Sequence, residues 1–550
     1  MAANGGGNFI YVVVAFATLG GIMFGLDQGN WSGAIVKPPF VEVFCGSDPG
    51  CYDAEQLPFR YVDFLAFGSA LLQAGAAAGA LLLAPTLAGR LGRREAMFLG
   101  SLVAITGVLP QTVLTTKPLF LAARSVAGVG VGVVTYALPM FISEIAPAQI
   151  RGALGASMQL TMTVGILLAS VLNLLPSFTY QLSFSLPSYP AAIVAAGIFC
   201  FPMSPRFALL KWGRRGAPEE GAARALASLR RLRGSEELAA AELRELQEGA
   251  SAEQQEAPWS TLWTDKSIRR RVLLANMLQW VQQFTGVNAI LSYGPSIFAS
   301  AGVPLDKLRS AVVTNCFNTV GTLIMVLVID RLGRRFLLLL GSASMCIFMG
   351  ITALLCHLMV ELPKDDPSRT AMGWGVLACI CGYMSAFAVG WGGVPWVYPS
   401  EIFPMDVKEK ALSTSVFSQW VANFLIALAI PIQVEIMGST GLFLFYSVCL
   451  AIGFLLVYWL VPETKGRSLE GMDELFGGRA LAPGQARELG ENLSSASLPG
   501  SCACSWVRPL DIEEEQLART WPNLPDPLRP ARKQAMTRVL LSRNGAATLA

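Results

Sequence analysis

Twelve stretches of mainly apolar residues run along this chain, over 9–31, 61–84, 96–115, 118–141, 152–175, 185–204, 272–299, 310–330, 336–359, 372–399, 411–435 and 441–461. Each is about 20 residues long, enough to cross the hydrocarbon core of a bilayer as a helix. Several are interrupted by proline, at Pro139, Pro295, Pro395 and Pro431. Membrane carriers tolerate such breaks where freed backbone lines a cavity. Between the sixth and seventh stretches lies a charged interval. Its segment Glu236 to Leu246 spaces leucines among strong helix formers and predicts short amphipathic helices. Beyond about Gly477 the chain carries Pro, Ser and Arg and an acidic run at Glu513–Glu515, a composition that predicts a disordered or partner-bound tail.

Composition agrees with this pattern. The 550 residues are 53% hydrophobic and 14% charged, with a mean hydropathy of +0.50, whereas soluble domains carry about 25% charge. The apolar stretch from Phe9 is too long for a signal-peptide core and has no Lys or Arg before it, so it predicts a first spanning helix. With both termini placed in the cytoplasm, 33 of the 41 Lys and Arg fall on cytoplasmic segments, seven fall outside and Arg124 falls within a span. Such an asymmetry sets orientation.

The chain also repeats itself. Arg90-Leu91-Gly92-Arg93-Arg94 recurs as Arg331-Leu332-Gly333-Arg334-Arg335, and Ser143-Glu144-Ile145-Ala146-Pro147 as Ser400-Glu401-Ile402-Phe403-Pro404. Pro202 to Arg206 loosely recurs as Pro462 to Arg467. The offsets of 241, 257 and 260 keep order and spacing, which predicts two six-helix halves of like topology. The expected fold is an all-α membrane protein of twelve transmembrane helices in two pseudo-repeats. Residues 1–204 form the first half, 205–271 cytoplasmic linker helices, 272–461 the second half and 462–550 the tail.

Candidate chemistry lies inside the apolar stretches. Gln282, Gln283, Thr285, Gly286 and Asn288 are clustered, with Gln282, Thr285 and Gly286 able to share a helical face. Two readings are open: amides gluing helices together, or a polar cavity wall for an uncharged, hydroxyl-rich solute, since each amide offers donors and an acceptor. Gln159, Asn318 and Asn423 are further amides within spans. Together they favour the cavity, and a neutral polyol over a charged solute. Trp396 follows the helix-breaking Gly390 to Pro395 and can stack on a sugar face. Asp27 and Arg124 are an acid and a base within spans, either a fixed structural pair or a proton-binding pair. Burial favours the protonated acid and a neighbouring guanidinium favours the carboxylate. The repeated arginine loops either hold topology alone or pair with Glu144 and Glu401 to latch the cytoplasmic mouth. Cys45 and Cys51 share a polar loop on the outside, where a local disulfide is expected. His357, the one histidine, sits near the outer end of its span. With that single histidine at the end of a span, the sequence presents no enzyme constellation, and the chain is not expected to be an enzyme.

In these motifs the chain resembles the sugar-porter family of the major facilitator superfamily over about residues 9–475. The matching pieces are Gly21 to Asp27, the doubled arginine motif, Ser143-Glu144 with Arg151-Gly152, Gln282 to Asn288, Pro395-Trp396 and Pro462 to Arg467. Asp27 resembles the acid of proton–hexose symporters of plants, algae and bacteria, where facilitative animal glucose carriers typically have asparagine. The resemblance implies an alternating-access monosaccharide carrier. Gln159, Gln282, Gln283, Asn288, Asn318 and Asn423 would bind hydroxyls, Trp396 and Phe24 would cover the sugar, and Asp27 with Arg124 would couple a proton. Glu144, Arg151, Arg93, Glu401, Arg334 and Glu463 would form the gate. It implies no cofactor, no metal and no nucleic acid. Its partners are a monosaccharide, a proton and the bilayer, with a monomeric functional unit in the plasma membrane. Met203 and Gly89 replace acids common in the family, and no cysteine near 435–440 matches the lid disulfide of plant symporters. The alternatives are a uniporter with the same site, or a non-transporting sugar sensor signalling through the tail.

Overall fold

A computed structural model of the chain describes residues 8–46, 51, 58–147, 150–213, 215–252, 257–363, 366–404, 407–465, 472, 475 and 476. The tail expected beyond 477 lies outside the described residues. Among those described, every regular element is helical. The chain begins with α1 (Asn8–Ala17), α2 (Leu19–Ala34), α3 (Pro38–Phe44), α4 (Phe59–Ala78), α5 (Ala84–Arg90), α6 (Arg93–Val108), α7 (Lys117–Ile145) and α8 (Arg151–Asn173). It continues through α9 (Tyr180–Ser185), α10 (Ser188–Gly197), α11 (Pro205–Gly213), α12 (Pro218–Arg233), α13 (Glu236–Ala252) and α14 (Thr261–Thr264). The last part comprises α15 (Lys266–Gln283), α16 (Val287–Ser300), α17 (Lys307–Leu332), α18 (Arg334–Glu361), α19 (Pro367–Phe387), α20 (Val394–Ile402) and α21 (Lys408–Leu460).

Nine helical stretches among the described residues are long and apolar enough to cross a membrane. Three features separate this from the twelve apolar runs. The run 96–115 becomes the 16-residue α6 followed by a 3-10 turn at Leu109–Thr112. The run 272–299 divides into α15 and α16, because Gly286 takes the left-handed conformation at φ 87°. Gln282, Thr285 and Gly286 therefore do not share one helical face as expected. The runs 411–435 and 441–461 form one 53-residue stretch that Gly438, at φ 61° and ψ −176°, breaks into two rods. An unbroken helix of that length would reach about 80 Å, far beyond a bilayer.

The exposure pattern is that of a protein dissolved in lipid. On α17, Phe317 is 47% exposed, Val320 57% and Leu327 65%, while Thr314, Asn315, Asn318 and Thr322 are buried. Apolar residues point outward and amides inward, the reverse of a soluble helix. The helices therefore lack the hydrophobic drive of a water-soluble core and associate through close packing and hydrogen bonds. The seam between α2 and α8 shows how. Gly21, Gly25, Gly29 and Gly33 recur every fourth residue along one face of α2 and lie against the α8 backbone or its Asn173 side chain. A Cβ at Gly25 would sit 2.0 Å from the Met162 carbonyl oxygen.

Two local structures complete the ends. At one end α3 carries Phe40 and Phe44 into a nest with Phe64, Phe120, Tyr180 and Phe184, Phe44 stacking on Phe64 at 4.9 Å. Cys45 at its C-terminus is joined to Cys51 by a disulfide, with Cα atoms 6.0 Å apart. At the other end, helices α11 to α13 occupy the charged interval. Arg233 of α12 forks onto Glu242 with two bonds of 2.7 Å and donates to the Ile145 carbonyl at 3.0 Å, tying the linker to the end of α7.

The α2–α8 seam yields a test. Gly25→Ala forces the two backbones apart, and overpacking costs about 1–3 kcal/mol or more. The unfolding midpoint of the detergent-solubilised protein should fall sharply. Gly155→Ala on α8, where an added Cβ would meet the Val397 side chain at an ordinary 3.5 Å, should leave it unchanged.

Candidate functional site

A cavity of about 410 Å³, measured to the surrounding atoms with its mouth included, lies among α2, α8, α15, α16, α17, α19, α20 and α21. All eight residues singled out above as substrate-binding line it. Phe24 comes from α2, Gln159 from α8, Gln282 and Gln283 from α15, Asn288 from α16, Asn318 from α17, Trp396 from α20 and Asn423 from α21. Gln419, Met162, Val287, Leu291 and Phe387 complete the wall. None of these side chains is charged.

Backbone chemistry orients the amides. Pro395 has no N–H, so the carbonyl four residues before it, Trp391, has no helical donor. The Gln282 amide supplies one, donating to the Trp391 oxygen at 2.7 Å and to Gly392 at 3.3 Å, beside the π-turn at Ala388–Gly392. Pro399 likewise leaves the Pro395 carbonyl without a donor, and Gln279, one turn before Gln282 and Gln283, donates to it at 2.8 Å. With its nitrogen so committed, Gln282 is left with its Oε1 buried and without a partner among the described residues. The side-chain oxygens of Asn318, Gln419 and Asn423 are in the same position. Four amide acceptors around an uncharged, partly aromatic space suit a solute rich in hydroxyl donors.

The α15–α16 break shapes the wall further. Gly286 lies against the Tyr446 ring, where a Cβ would stand 2.6 Å from Cγ. Tyr383 donates to the Thr285 carbonyl at 2.9 Å. Asn288 then turns back to donate to the Gln283 side-chain oxygen. Trp391 is committed elsewhere, its indole N–H donating to Ser342 at 2.8 Å, so Trp396 is the indole that reaches the cavity. Phe24 packs edge-on against Trp420, with centroids 5.1 Å apart.

Asp27 lies one turn beyond Phe24 on α2 and outside the cavity wall. It accepts from Arg124 Nη1 at 2.9 Å. Arg124 also donates to the Gly68 carbonyl at 3.0 Å and lies 4.7 Å over the Trp31 ring. Both partners are almost fully buried, and the second carboxylate oxygen of Asp27 has no partner among the described residues.

The arginine-bearing end holds two similar clusters. Arg93 pairs with Glu144 at 2.8 Å and donates to the carbonyl five residues before it, Ala88. Arg334 pairs with Glu401 at 2.7 Å and donates to Ile329, again five residues before. Further contacts surround both clusters. Arg93 also pairs with Glu409, and Asp330 accepts from both Arg334 and the Ala153 N–H at the start of α8. Glu463 caps α18, accepting from the backbone of Arg334 at 2.9 Å and Arg335 at 3.0 Å. Arg151 donates to the Ala146 carbonyl at 3.3 Å.

Over residues 13–476 the chain matches the family model described as sugar (and other) transporter. The chain belongs to the sugar porter family. This porter is 32% identical over 487 residues to the probable glucose transporter rco-3 of Neurospora crassa, covering 84% of the porter and 79% of that protein. It is 32% identical over 513 residues to Sugar transport protein 1 of Arabidopsis thaliana, covering 89% and 95%. Its fold is similar to that of the proton:xylose symporter XylE bound to 6-bromo-6-deoxy-D-glucose, with a TM-score of 0.69 at 25% identity over 85% of the porter and 99% of that chain. An inward open conformation of XylE from E. coli gives 0.63 at 24% identity. The porter is thus a membrane transporter of the major facilitator superfamily and not an enzyme.

Sequence reasoning missed several residues of the porter's site. Gln419 is an amide within an apolar run, one turn before Asn423, and that signal was available. Gln279 precedes Gln282 by three residues and Pro399 follows Pro395 by four, so the matched spacing was also visible. Glu409 and Asp330 carried no signal beyond their charge.

The proline–glutamine pairing has a direct test. Gln279→Leu leaves the Pro395 carbonyl with no amide donor and should cost about 1–3 kcal/mol of stability, read as a lowered unfolding midpoint. Adding Pro399→Ala restores the helical N–H and should recover most of the loss. An absence of recovery would show that Gln279 acts through other contacts.

Proposed function

We propose that this sugar porter is a proton-coupled monosaccharide symporter working by alternating access. Twelve spanning helices are arranged as two six-helix repeats, 1–204 and 272–461, with the linker at 205–271 and the tail at 462–550. The two arginine clusters, alike in donor and acceptor down to the carbonyl five residues back, support the repeat. Counting α6, the paired α15 and α16, and the two rods of α21 as spans brings the number to twelve. Positive charge places the arginine-bearing end and both termini in the cytoplasm and the Cys45–Cys51 disulfide outside. The membrane is the plasma membrane, and the functional unit is one chain.

The observation that carries coupling is the buried Asp27–Arg124 pair, 2.9 Å apart, with one carboxylate oxygen unpartnered and one helical turn separating it from the cavity. Such a carboxylate takes up a proton when its arginine withdraws and releases it when the arginine returns. Sugar hydroxyls donate to the free oxygens of Gln282, Asn318, Gln419 and Asn423, Gln159, Gln283 and Asn288 add contacts, and Trp396 and Phe24 cover the ring. Arg93, Glu144, Arg151, Arg334, Glu401 and Glu463 hold the cytoplasmic mouth shut and part when it opens. That a relative of the same fold is a proton:xylose symporter supports the reading. At 100 mV one charge is worth about 2.3 kcal/mol, which sustains roughly 40- to 50-fold accumulation per proton.

The pair can also be read as structural, since all its contacts lie within the bundle, and the porter would then be a facilitator. Uptake of labelled glucose in cells lacking hexose carriers separates the two. Wild type should concentrate sugar and a protonophore should collapse the gradient. Asp27→Asn should only equilibrate it. Equilibration by wild type, indifferent to protonophore, would establish the facilitator.

A further inference from the structure

The helix that carries Asp27 places an indole one turn beyond it. Trp31 is 2% exposed, and its N–H has no partner among the described residues. What it offers its surroundings is the face of its ring. Arg124 lies over that face at 4.7 Å while holding Asp27 at 2.9 Å. One guanidinium is therefore shared between a carboxylate and an aromatic face on consecutive turns of α2.

Neighbouring helices fix the indole in place. On α4, Gly68 leaves room for it: a Cβ there would stand 2.2 Å from Cη2 of Trp31. The carbonyl of the same glycine accepts from Arg124 Nε at 3.0 Å. Phe184 of α9 has its ring 6.3 Å from that of Trp31 and 6.0 Å from the guanidinium. Phe40 of α3 meets the indole edge-on at 6.4 Å. Besides Asp27, the titratable group acting on Arg124 is the phenol of Tyr293 on α16, which donates to the Leu65 carbonyl at 3.2 Å and is uncharged at ordinary pH.

A guanidinium that loses its carboxylate in a low-dielectric interior needs another partner. Indole is the strongest of the aromatic faces for a cation, and more so when both are desolvated. We propose that Trp31 is a positioning residue for proton coupling: its ring face, with the Gly68 carbonyl, is a second seat that receives Arg124 when Asp27 takes up a proton. The proposal rests on the symport reading. The proton enters from outside onto the Asp27 carboxylate, which loses its charge, and the guanidinium settles on the indole instead of being stranded. When the proton leaves on the inside, the carboxylate draws the guanidinium back. Trp31 and Asp27 compete for one cation, so without the ring the carboxylate is uncontested and more acid is needed to load the carrier.

Initial rates of labelled glucose uptake by the full chain, measured against external pH in cells lacking hexose carriers, test this. Trp31→Leu should lower the half-maximal pH by about one unit, a tenfold higher proton concentration for the same loading. A tryptophan fluorinated on its benzene ring, placed at position 31 alone, keeps the shape and drains the ring face. It should move the profile in the same direction, and it decides the matter where the leucine variant fails to fold. A half-maximal pH that stays in place or rises with the fluorinated ring overturns the seat, as does a rate lowered equally at every pH. Wild-type uptake that only equilibrates glucose and is indifferent to protonophore overturns the symport reading and the seat with it, a result distinguished by being seen before any variant is measured.

Discussion

In hydrocarbon, every backbone carbonyl needs a donor, and no water is present to supply one. The site of this porter is built from the places where that demand meets a proline. Pro395 and Pro399 each withhold an N–H from the carbonyl four residues earlier, and Gln282 and Gln279 of α15 provide replacements. The substitution holds α20 against α15, and it turns the remaining oxygen of Gln282 away from the backbone. A broken helix and a set of oriented acceptors are therefore one arrangement.

The same scarcity of donors explains how charge is handled. Arg124 spends its guanidinium on Asp27, on the Gly68 carbonyl and on the face of Trp31. Arg93 and Arg334 each bind carboxylates and the carbonyl five residues back. Truncating one partner of such a buried pair costs about 3–5 kcal/mol, so these groups part only where the whole rearrangement compensates. That separates them from the cavity, whose lining residues carry no charge.

Close approach supplies the remaining rigidity. Along α2 a glycine every fourth residue lets the α8 backbone come near enough for dispersion to act between main chains. The rigid helix thereby carries Phe24 in the cavity, Asp27 in the ion pair and Gln28 on α16 within five residues.

Much of this protein was legible in its sequence. A lipid-soluble helical chain follows from long apolar runs and scarce charge, because a bilayer imposes length and apolarity residue by residue. The amides of the cavity stood out for the same reason: Gln159, Gln282, Asn318 and Asn423 lie in runs where an unpaired polar group is expensive. Asp27 and Arg124 stood out as ions in such runs, though 97 residues apart, and only the folded chain put them at 2.9 Å. Tertiary structure alone decided the partners. Glu409 joins Arg93 from 316 residues away, Glu463 caps α18, and the run 272–299 breaks at Gly286. The physical reason is range. Solvation by lipid acts on each residue separately and so leaves its mark on local sequence, whereas a hydrogen bond or ion pair depends on where distant segments meet.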